Sequence, residues 1–476
     1  MRLLKFNQKL TRPESELHDM AMQPQESIVE FDHSCGLEES QVCTCDHSLK
    51  NSARSVKSAQ TSNGDIHKAD STFFQAVINM VGMLVGLGQL STPYALESGG
   101  WASAFLLIAL GAICAYTAHL LGRCLHKNPK SRNFADIAGH AFGQKGKIIA
   151  ITFIYLEIFM ALVSYTISLH DNLFTVFSKT HFNFPLMHMS TSQTLTIIAV
   201  LIAIPSMWLR DLSSISFLSS VGVLMSCLIF GMVACTALFG RVEADQYIPV
   251  LRLQKIPAIS GLYAFSFGGH IVFPELYKGM KDPTKFTKVC VVSFAVATSL
   301  YTSIAFMGAK MFGPTLSSQI TLSMPQHLLF TKIALWATVV TPMTKYALEF
   351  APIAMQLERH LPHSMNSKTR LIITGTIGSI ILIFILGLAL SVPFFEHVLG
   401  LTGSLVSISI CIVFPCTFYT KITWDHISKP ALTLNIFLVL SGCLIGVFGT
   451  YSSSKAIINS FISVHSLQAH TTELTR

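Results

Sequence analysis

Long apolar segments separated by short polar connections dominate the chain after residue 70. Eleven segments can be distinguished, and most approach the about 20 apolar residues that a helix needs to cross a bilayer. The pattern predicts an all-α integral membrane protein with 11 transmembrane helices. The predicted segments are 73–97, 101–125, 148–177, 191–209, 214–239, 257–278, 287–312, 327–356, 370–391, 396–419 and 431–452.

Polar residues dominate both ends of the chain and define its predicted organisation. Residues 1–70 lack a sustained apolar period and are predicted to form a disordered cytosolic tail. Residues 71–452 form the predicted transmembrane domain, and residues 453–476 form a short luminal or extracellular tail. With 51% hydrophobic and only 12% charged residues, the composition excludes an ordinary soluble domain, in which about 25% are charged.

Basic residues in the connections predict the orientation. If the N-terminus is cytosolic, sixteen Lys and Arg residues fall in cytoplasmic connections and five on the opposite side. Because basic residues accumulate in cytoplasmic loops, this asymmetry predicts a cytosolic N-terminus and a luminal or extracellular C-terminus. On so apolar a chain, the net charge of +8 indicates membrane loops and no nucleic-acid partner.

The first apolar segment is unusual because helix-breaking and polar residues interrupt it. Glycine weakens a helix and proline removes a backbone donor, so the freed groups need partners at membrane depth. Such a segment is typical of backbone that lines a cavity. The interrupting residues are Asn79, Gly82, Gly86, Gly88, Gln89 and Pro93.

The sixth segment carries the same kind of interruption, at Gly261, Gly268, Gly269, His270 and Pro274. Five segments counted from each broken helix give two halves, with an eleventh helix appended. Two consecutive halves that each contain an odd number of helices have opposite orientations in the membrane. The pattern therefore predicts a LeuT-like 5+5 inverted repeat with broken helices 1 and 6. We expect the two breaks to face each other and to hold a substrate.

Unwound backbone of this kind suits a small zwitterion such as a free amino acid. Free N–H groups at a half-helix end favour a carboxylate, and free carbonyls favour an ammonium group. An alternative is that Gly82 and Gly86 form a small-xxx-small helix-packing motif. The candidate substrate-binding residues are Asn79, Gly82, Met83, Gly86, Gly88, Phe265, Phe267, Gly268 and Gly269.

Ionisable and hydroxyl side chains within the apolar segments are candidates for coupling or gating, because burying a charge in a membrane is expensive. The candidates are Glu157, His270, Thr341, Thr344 and Lys345. Lys345 would supply a positive charge where a sodium-driven carrier binds its cation. The alternative is a structural ion pair with Glu349, four residues further along the same helix.

Motifs of the common enzyme classes are absent from the sequence. It contains no GxxxxGK[ST] loop, no HExxH and no pair of CxxC motifs. We therefore expect a protein that is not an enzyme and that has no cofactor and no metal site.

Several short motifs together resemble the amino acid/auxin permease family, especially its plant vacuolar amino acid transporters and the related vesicular inhibitory amino acid transporter. The resemblance covers roughly residues 71–452. Its pieces are Gly86-Leu-Gly-Gln-Leu-Ser-Thr-Pro-Tyr-Ala95 with Gly99-Gly-Trp101, Phe134-Ala-Asp-Ile-Ala-Gly-His-Ala-Phe-Gly143, Tyr155-Leu-Glu157, Asp171-Asn-Leu173, Leu209-Arg-Asp-Leu-Ser213, the Phe267–Pro283 run and Thr341-Pro-Met-Thr-Lys-Tyr-Ala347.

The resemblance implies a LeuT-like fold, with helices 1 and 6 unwound around an amino acid. It implies amino acid transport, coupled to protons more readily than to sodium, at the vacuolar membrane rather than the plasma membrane. We expect a monomeric secondary active transporter that moves neutral amino acids by alternating access. Related sequences often carry Asn where this chain has Gly82. The alternatives are an amino acid sensor with little flux, or an auxin or polyamine carrier of the same fold.

Overall fold

A computed structural model describes residues 71–178, 191–208, 212–362 and 364–474. The tail predicted over residues 1–70 lies outside these ranges. Within them the chain is helical apart from its connections, and the β-type pairing is a single isolated parallel bridge between Ser71 and Met280.

Fifteen α-helices follow one another in the described residues. They are α1 (Phe73–Leu84), α2 (Gly88–Gly99), α3 (Ala102–Lys127), α4 (Phe134–Val176), α5 (Thr191–Ala203), α6 (Leu212–Phe239), α7 (Ile256–Ser266), α8 (Phe273–Gly279), α9 (Phe286–Phe312), α10 (Ile320–Ser323), α11 (Leu329–His360), α12 (Ser367–Ser391), α13 (Phe395–Thr402), α14 (Phe414–Ile422) and α15 (Lys429–Leu474). Two π-helical turns, Gly403–Ser407 and Ser409–Val413, join α13 to α14, and short 3₁₀ turns lie at Ile204–Trp208, Leu253–Lys255, Pro283–Lys285, Gly313–Thr315 and Trp424–His426.

Seven helical stretches in the described residues are long and apolar enough to cross a membrane, and an eighth is added if α1 and α2 together form one bent span. This confirms the predicted all-helical membrane class. Each of the eleven predicted segments is occupied by helix. However, α5 is only 13 residues long, and unwound chain separates α7 from α8, so length and composition alone give fewer than eleven spans.

Two helices extend beyond their predicted limits. α4 begins at Phe134 rather than near residue 148, with non-helical backbone at Phe142 and Gly143. Gly143 has a φ of 66°, in the left-handed region that favours glycine. The hydropathy pattern did not predict the first part of α4, because polar residues such as Asp136 and His140 alternate with its apolar residues. α15 continues to Leu474, through the segment predicted as a C-terminal tail.

α7 packs closely against the junction of α13 and the first π-helical turn. A Cβ added at Gly261 would overlap the Gly400 carbonyl oxygen, and one added at Gly403 would overlap the Gly261 carbonyl oxygen. Only glycine permits this approach of one backbone to another. The contact fixes α7, and therefore the second break at its end, against the region that also carries Ser407.

The described chain begins beside the end of α8. The Ser71 N–H donates to the Gly279 carbonyl (3.0 Å), and the Lys281 N–H donates to the Ser71 carbonyl (2.9 Å). α1 then begins with a capping box, in which Thr72 and Gln75 each bond the other's backbone N–H. These bonds fix the entry into α1 relative to α8.

Candidate substrate site

The first break separates α1 from α2 and bends the chain by 58°. α1 ends at Leu84, and α2 begins at Gly88. A Cβ added at Gly88 would lie 2.5 Å from the Ser266 Oγ and 2.6 Å from the Ser266 Cα. Because Ser266 is the last residue of α7, the absence of a side chain at Gly88 brings the two breaks into contact.

The second break runs from Phe267 to Val272, between α7 and α8. Two local bonds shape it, from the Gly268 N–H to the Phe265 carbonyl (2.9 Å) and from the Val272 N–H to the Gly269 carbonyl (3.0 Å). A Cβ added at Gly268 would lie 3.0 Å from the Phe265 carbonyl oxygen and 3.3 Å from Glu157 Oε1. This break therefore borders an acidic side chain of α4.

Tyr301 of α9 connects the two breaks through its hydroxyl group. The hydroxyl oxygen lies 2.6 Å from the Leu84 carbonyl and 2.9 Å from the Ser266 carbonyl, which end α1 and α7. The tyrosine is fully buried. One hydroxyl donor thus serves two carbonyls that helix termination would leave without partners.

A cavity of about 430 Å³ lies where α1, α2, α4, α7, α8 and α11 meet. Its walls include predicted residues from both breaks and one predicted coupling residue. These are Met83, Gly86, Gly88, Phe265, Gly268, Gly269 and Glu157. The structure therefore brings together most of the candidate substrate-binding residues.

Three candidate substrate-binding residues lie elsewhere. Asn79 is exposed on the outer side of α1. Gly82 faces α6, where an added Cβ would lie 2.5 Å from Val223 Cγ2, so position 82 contributes to helix packing and not to the cavity. Phe267 is fully buried and packs edge-on against Tyr301, with ring centroids 5.5 Å apart.

Glu157 is the coupling candidate that lines the cavity. Its side chain is only 9% exposed. The Ser407 hydroxyl donates to Oε1 (3.1 Å), whereas Oε2 is buried and has no hydrogen-bond partner among the described residues. Because a buried carboxylate without a partner is costly, this oxygen suits a proton or the ammonium group of a ligand.

His270 lies behind the second break and not in the cavity wall. Its Nε2 is 3.0 Å from the Thr117 Oγ1 and 3.2 Å from the Cys114 carbonyl oxygen. A carbonyl only accepts, so the Cys114 bond requires a hydrogen on Nε2. The ring is fully buried and packs against Phe273, with centroids 4.9 Å apart.

The candidates on α11 are buried beside the cavity but do not line it. Thr341 and Thr344 donate to carbonyls of their own helix, at 2.8 Å each. Lys345 is 3% exposed and faces α6, where a Cβ added at Gly222 would lie 3.5 Å from its Cε. No ion pair within 4 Å joins Lys345 to Glu349 in the described part of the chain, and Glu349 alone of the two lines the cavity.

Sequence reasoning missed four polar side chains at this site. Tyr301 bonds both breaks, Ser407 bonds Glu157, and Tyr165 and Glu275 line the cavity. A buried tyrosine hydroxyl usually has a partner, so Tyr301 and Tyr165 within apolar segments were a usable signal. Ser407 gave no such signal, because its role depends on contact with a helix 250 residues away in sequence.

No cluster of three or more His, Cys, Asp or Glu residues that could hold a metal ion occurs in the described ranges. The cavity has instead the small, mostly apolar lining with a few converging polar groups that is typical of small-molecule sites.

Sequence comparison relates the chain to amino acid transporters. The family described as transmembrane amino acid transporter protein matches residues 69–455. The amino acid transporter AVT1H of Arabidopsis thaliana is 56% identical over 432 residues, which cover 90% of this chain and 98% of that protein. The vesicular inhibitory amino acid transporter of Xenopus tropicalis is 23% identical, with 82% of this chain and 78% of that protein covered.

A solved structure, MhsT in complex with L-phenylalanine, shares the fold. The TM-score is 0.52 at 15% sequence identity, and the match covers 82% of this chain and 97% of MhsT. The match shows that the two chains share a fold and, at this identity, nothing about function or ligand.

Proposed function

Because the chain belongs to the transmembrane amino acid transporter family, we propose that it is a secondary active transporter of neutral amino acids, coupled to protons and working by alternating access. We further propose that it has eleven spans, with a 5+5 inverted repeat and broken helices 1 and 6. The observation that carries the proposal is the cavity between the two breaks, with the unpartnered Glu157 Oε2 in its wall.

The two ends of an amino acid match different parts of the cavity. The N-terminus of α2 at Gly88 presents the positive end of a helix dipole, which favours a carboxylate. Glu157 Oε2 provides the acceptor for an ammonium group. Because Glu157 also borders Gly268, both broken helices take part in binding.

Coupling to protons follows from the charges available. Glu157 gains a proton or a cationic ligand in turn, and the buried Lys345 supplies a fixed positive charge in place of a sodium ion. We propose that the protein acts as a monomer at the vacuolar membrane, with its N-terminus in the cytosol.

Alternating access requires one side of the cavity to be closed. The cavity extends along α8 and the second half of α11, towards the side predicted to be cytoplasmic. On the other side, a buried network joins the end of α4 to the connection before α11. The Gln319 side chain bonds Ser168 (2.6 Å) and Asn172 (2.8 Å), and Thr321 donates to Asn172 (2.9 Å). We propose that this network separates when the luminal side opens.

Uptake by proteoliposomes under an imposed pH gradient tests the proposal. Labelled neutral amino acids should accumulate, and replacing sodium by choline should leave uptake intact. Glu157→Gln should abolish accumulation at normal protein abundance, whereas Asp425→Asn, a change at an exposed carboxylate outside the cavity, should not. If no amino acid is taken up or stabilises the protein against heat, the proposed function is wrong.

A sensor is the second candidate, favoured by the bonds of Ser71 to the end of α8. These bonds hold Ser71, the first described residue, against a half-helix that lines the cavity. Removal of residues 1–70 distinguishes the candidates, because a transporter keeps its flux and a sensor loses its response to amino acids.

A further inference from the structure

The charged groups that line the cavity are all acidic. Glu157, Glu275 and Glu349 belong to its wall, and the wall includes no Lys, Arg or His in the described part of the chain. Lys345, the basic residue nearest to Glu349 on α11, lies behind the wall and faces Gly222 of α6. A ligand in this cavity therefore meets negative charge and no exposed positive side chain.

One of these carboxylates points to a ligand independently of the others. Glu157 is nine-tenths buried, and its Oε2 has no partner among the described residues although Oε1 is bonded to Ser407. Glu349 lines the same cavity as Glu157, and Lys345 lies behind the wall, one turn earlier than Glu349 on α11. Their charges must therefore be considered together.

The charges around the cavity distinguish possible ligands. Three carboxylates, those of Glu157, Glu275 and Glu349, line it, and Lys345 behind the wall is a single positive charge. A zwitterionic amino acid has no net charge and leaves this excess of negative charge unchanged. A cationic amino acid adds one positive charge and reduces the excess, which matters because an unpaired buried charge is strongly unfavourable.

We propose that Glu349 forms a second cation subsite, so that the cavity also takes amino acids with a cationic side chain and prefers them to neutral ones of the same shape. This inference rests on the proposed function, because it uses the same cavity. Glu157 accepts the α-ammonium group, and Glu349 accepts the side-chain cation. A volume of about 430 Å³ is ample for such a ligand, since small-molecule sites measure about 300–1,000 Å³.

Ornithine and norleucine provide the matched test, because they differ in an ammonium or a methyl group at the end of side chains of equal length. In proteoliposomes containing the full chain, ornithine should be taken up at least about tenfold more efficiently than norleucine, the ratio expected from a loss of one charge-assisted hydrogen bond. Uptake of norleucine equal to or above that of ornithine would overturn the inference.

Glu349→Gln tests the assigned residue, because it keeps the shape of the side chain and removes its charge. The ratio of ornithine to norleucine uptake should fall towards one, and Asp425→Asn should leave the ratio at its wild-type value. If Glu349→Gln lowers the uptake of both amino acids equally, Glu349 serves coupling and not side-chain recognition, and the inference is wrong.

If Glu349→Gln does not fold, the melting temperature of the wild-type protein in detergent, measured with each ligand, provides a second test. Ornithine should raise the melting temperature at lower concentration than norleucine does, and the reverse order refutes the second subsite. Binding and uptake of norleucine without a preference for ornithine would refute this inference alone. A lack of uptake and of stabilisation by every amino acid would refute the proposed function with it.

Discussion

The two breaks look alike in sequence but do different things in the structure. At the first, glycines are contact points, since Gly82 packs on Val223 and Gly88 on Ser266. α2, which follows this break, is almost completely buried, with Tyr94 alone of its twelve residues partly exposed. The first break therefore combines close helix packing, at Gly88, with a share of the cavity wall, at Gly86 and Gly88.

The second break has more polar chemistry around it. A Cβ added at Gly269 would lie 3.3 Å from the ring of Phe273, and Gly268 borders Glu157. His270 and Phe267 point away from the cavity into a buried aromatic cluster. Clusters of glycine and proline thus identify where a helix breaks, whereas the neighbours decide whether the break supports packing or binding.

Gly88→Val should have the largest effect, because a β-branched side chain would overlap Ser266 where the two breaks touch. We expect loss of folded protein, measured as the monodisperse fraction after detergent extraction. Gly231→Val is the matched control, since a Cβ there has no neighbour within 4 Å. Normal abundance and uptake with Gly88→Val would show that the first break is not a packing contact.

Gly268→Val should separate folding from transport. The new Cβ would lie 3.0 Å from the Phe265 carbonyl oxygen and 3.3 Å from Glu157 Oε1 at the cavity wall, so neighbours must move by only a few tenths of an ångström, but the ligand loses space. We expect normal abundance and loss of amino acid uptake, with Gly387→Val as the unaffected control, because position 387 also has no neighbour within 4 Å. Wild-type uptake would remove Gly268 from the proposed site.

Tyr301→Phe should have a moderate effect on both breaks together. It leaves the Leu84 and Ser266 carbonyls without their shared donor, and an unsatisfied buried group costs about 1–3 kcal/mol. A lower melting temperature and reduced uptake should follow, while Tyr451→Phe on the exposed face of α15 should change neither. An unchanged melting temperature would mean that other groups satisfy these carbonyls.

Asn79→Ala should have the smallest effect of these changes. Sequence analysis placed Asn79 in the binding site, but its side chain is exposed on the outer side of α1. We expect uptake within about twofold of wild type, which corresponds to less than about 0.5 kcal/mol. A large loss of amino acid uptake by Asn79→Ala would show that Asn79 contributes to substrate binding.

The helical membrane class and the positions of both breaks were predictable from sequence, because apolar length and helix breakers are local signals. The direction in which each residue of a broken helix faces was not predictable from sequence. Gly82 and Gly86 lie one helical turn apart, yet a Cβ at Gly82 would meet Val223 of α6 and Gly86 lines the cavity. Since a broken helix has no regular period across its break, spacing along the chain does not tell which side faces the ligand.

Contacts between distant segments were also beyond the sequence pattern. The i, i+4 spacing of Lys345 and Glu349 was consistent with an ion pair, but the packing of α11 against α6 directs Lys345 towards Gly222. The same limitation applies to Glu157, whose importance as an intramembrane charge was predictable but whose bond to Ser407 was not. Tertiary packing, which no local pattern encodes, decides these partners.

The pairing of Ser71 with the end of α8 has a mechanical consequence. Its two backbone bonds join Ser71 to Gly279 and Lys281, on either side of Met280, so the entry into α1 is tied to the end of α8. α8 also carries Glu275 of the cavity wall. A movement of α8, a helix of seven residues, therefore either carries the start of α1 with it or breaks these two bonds.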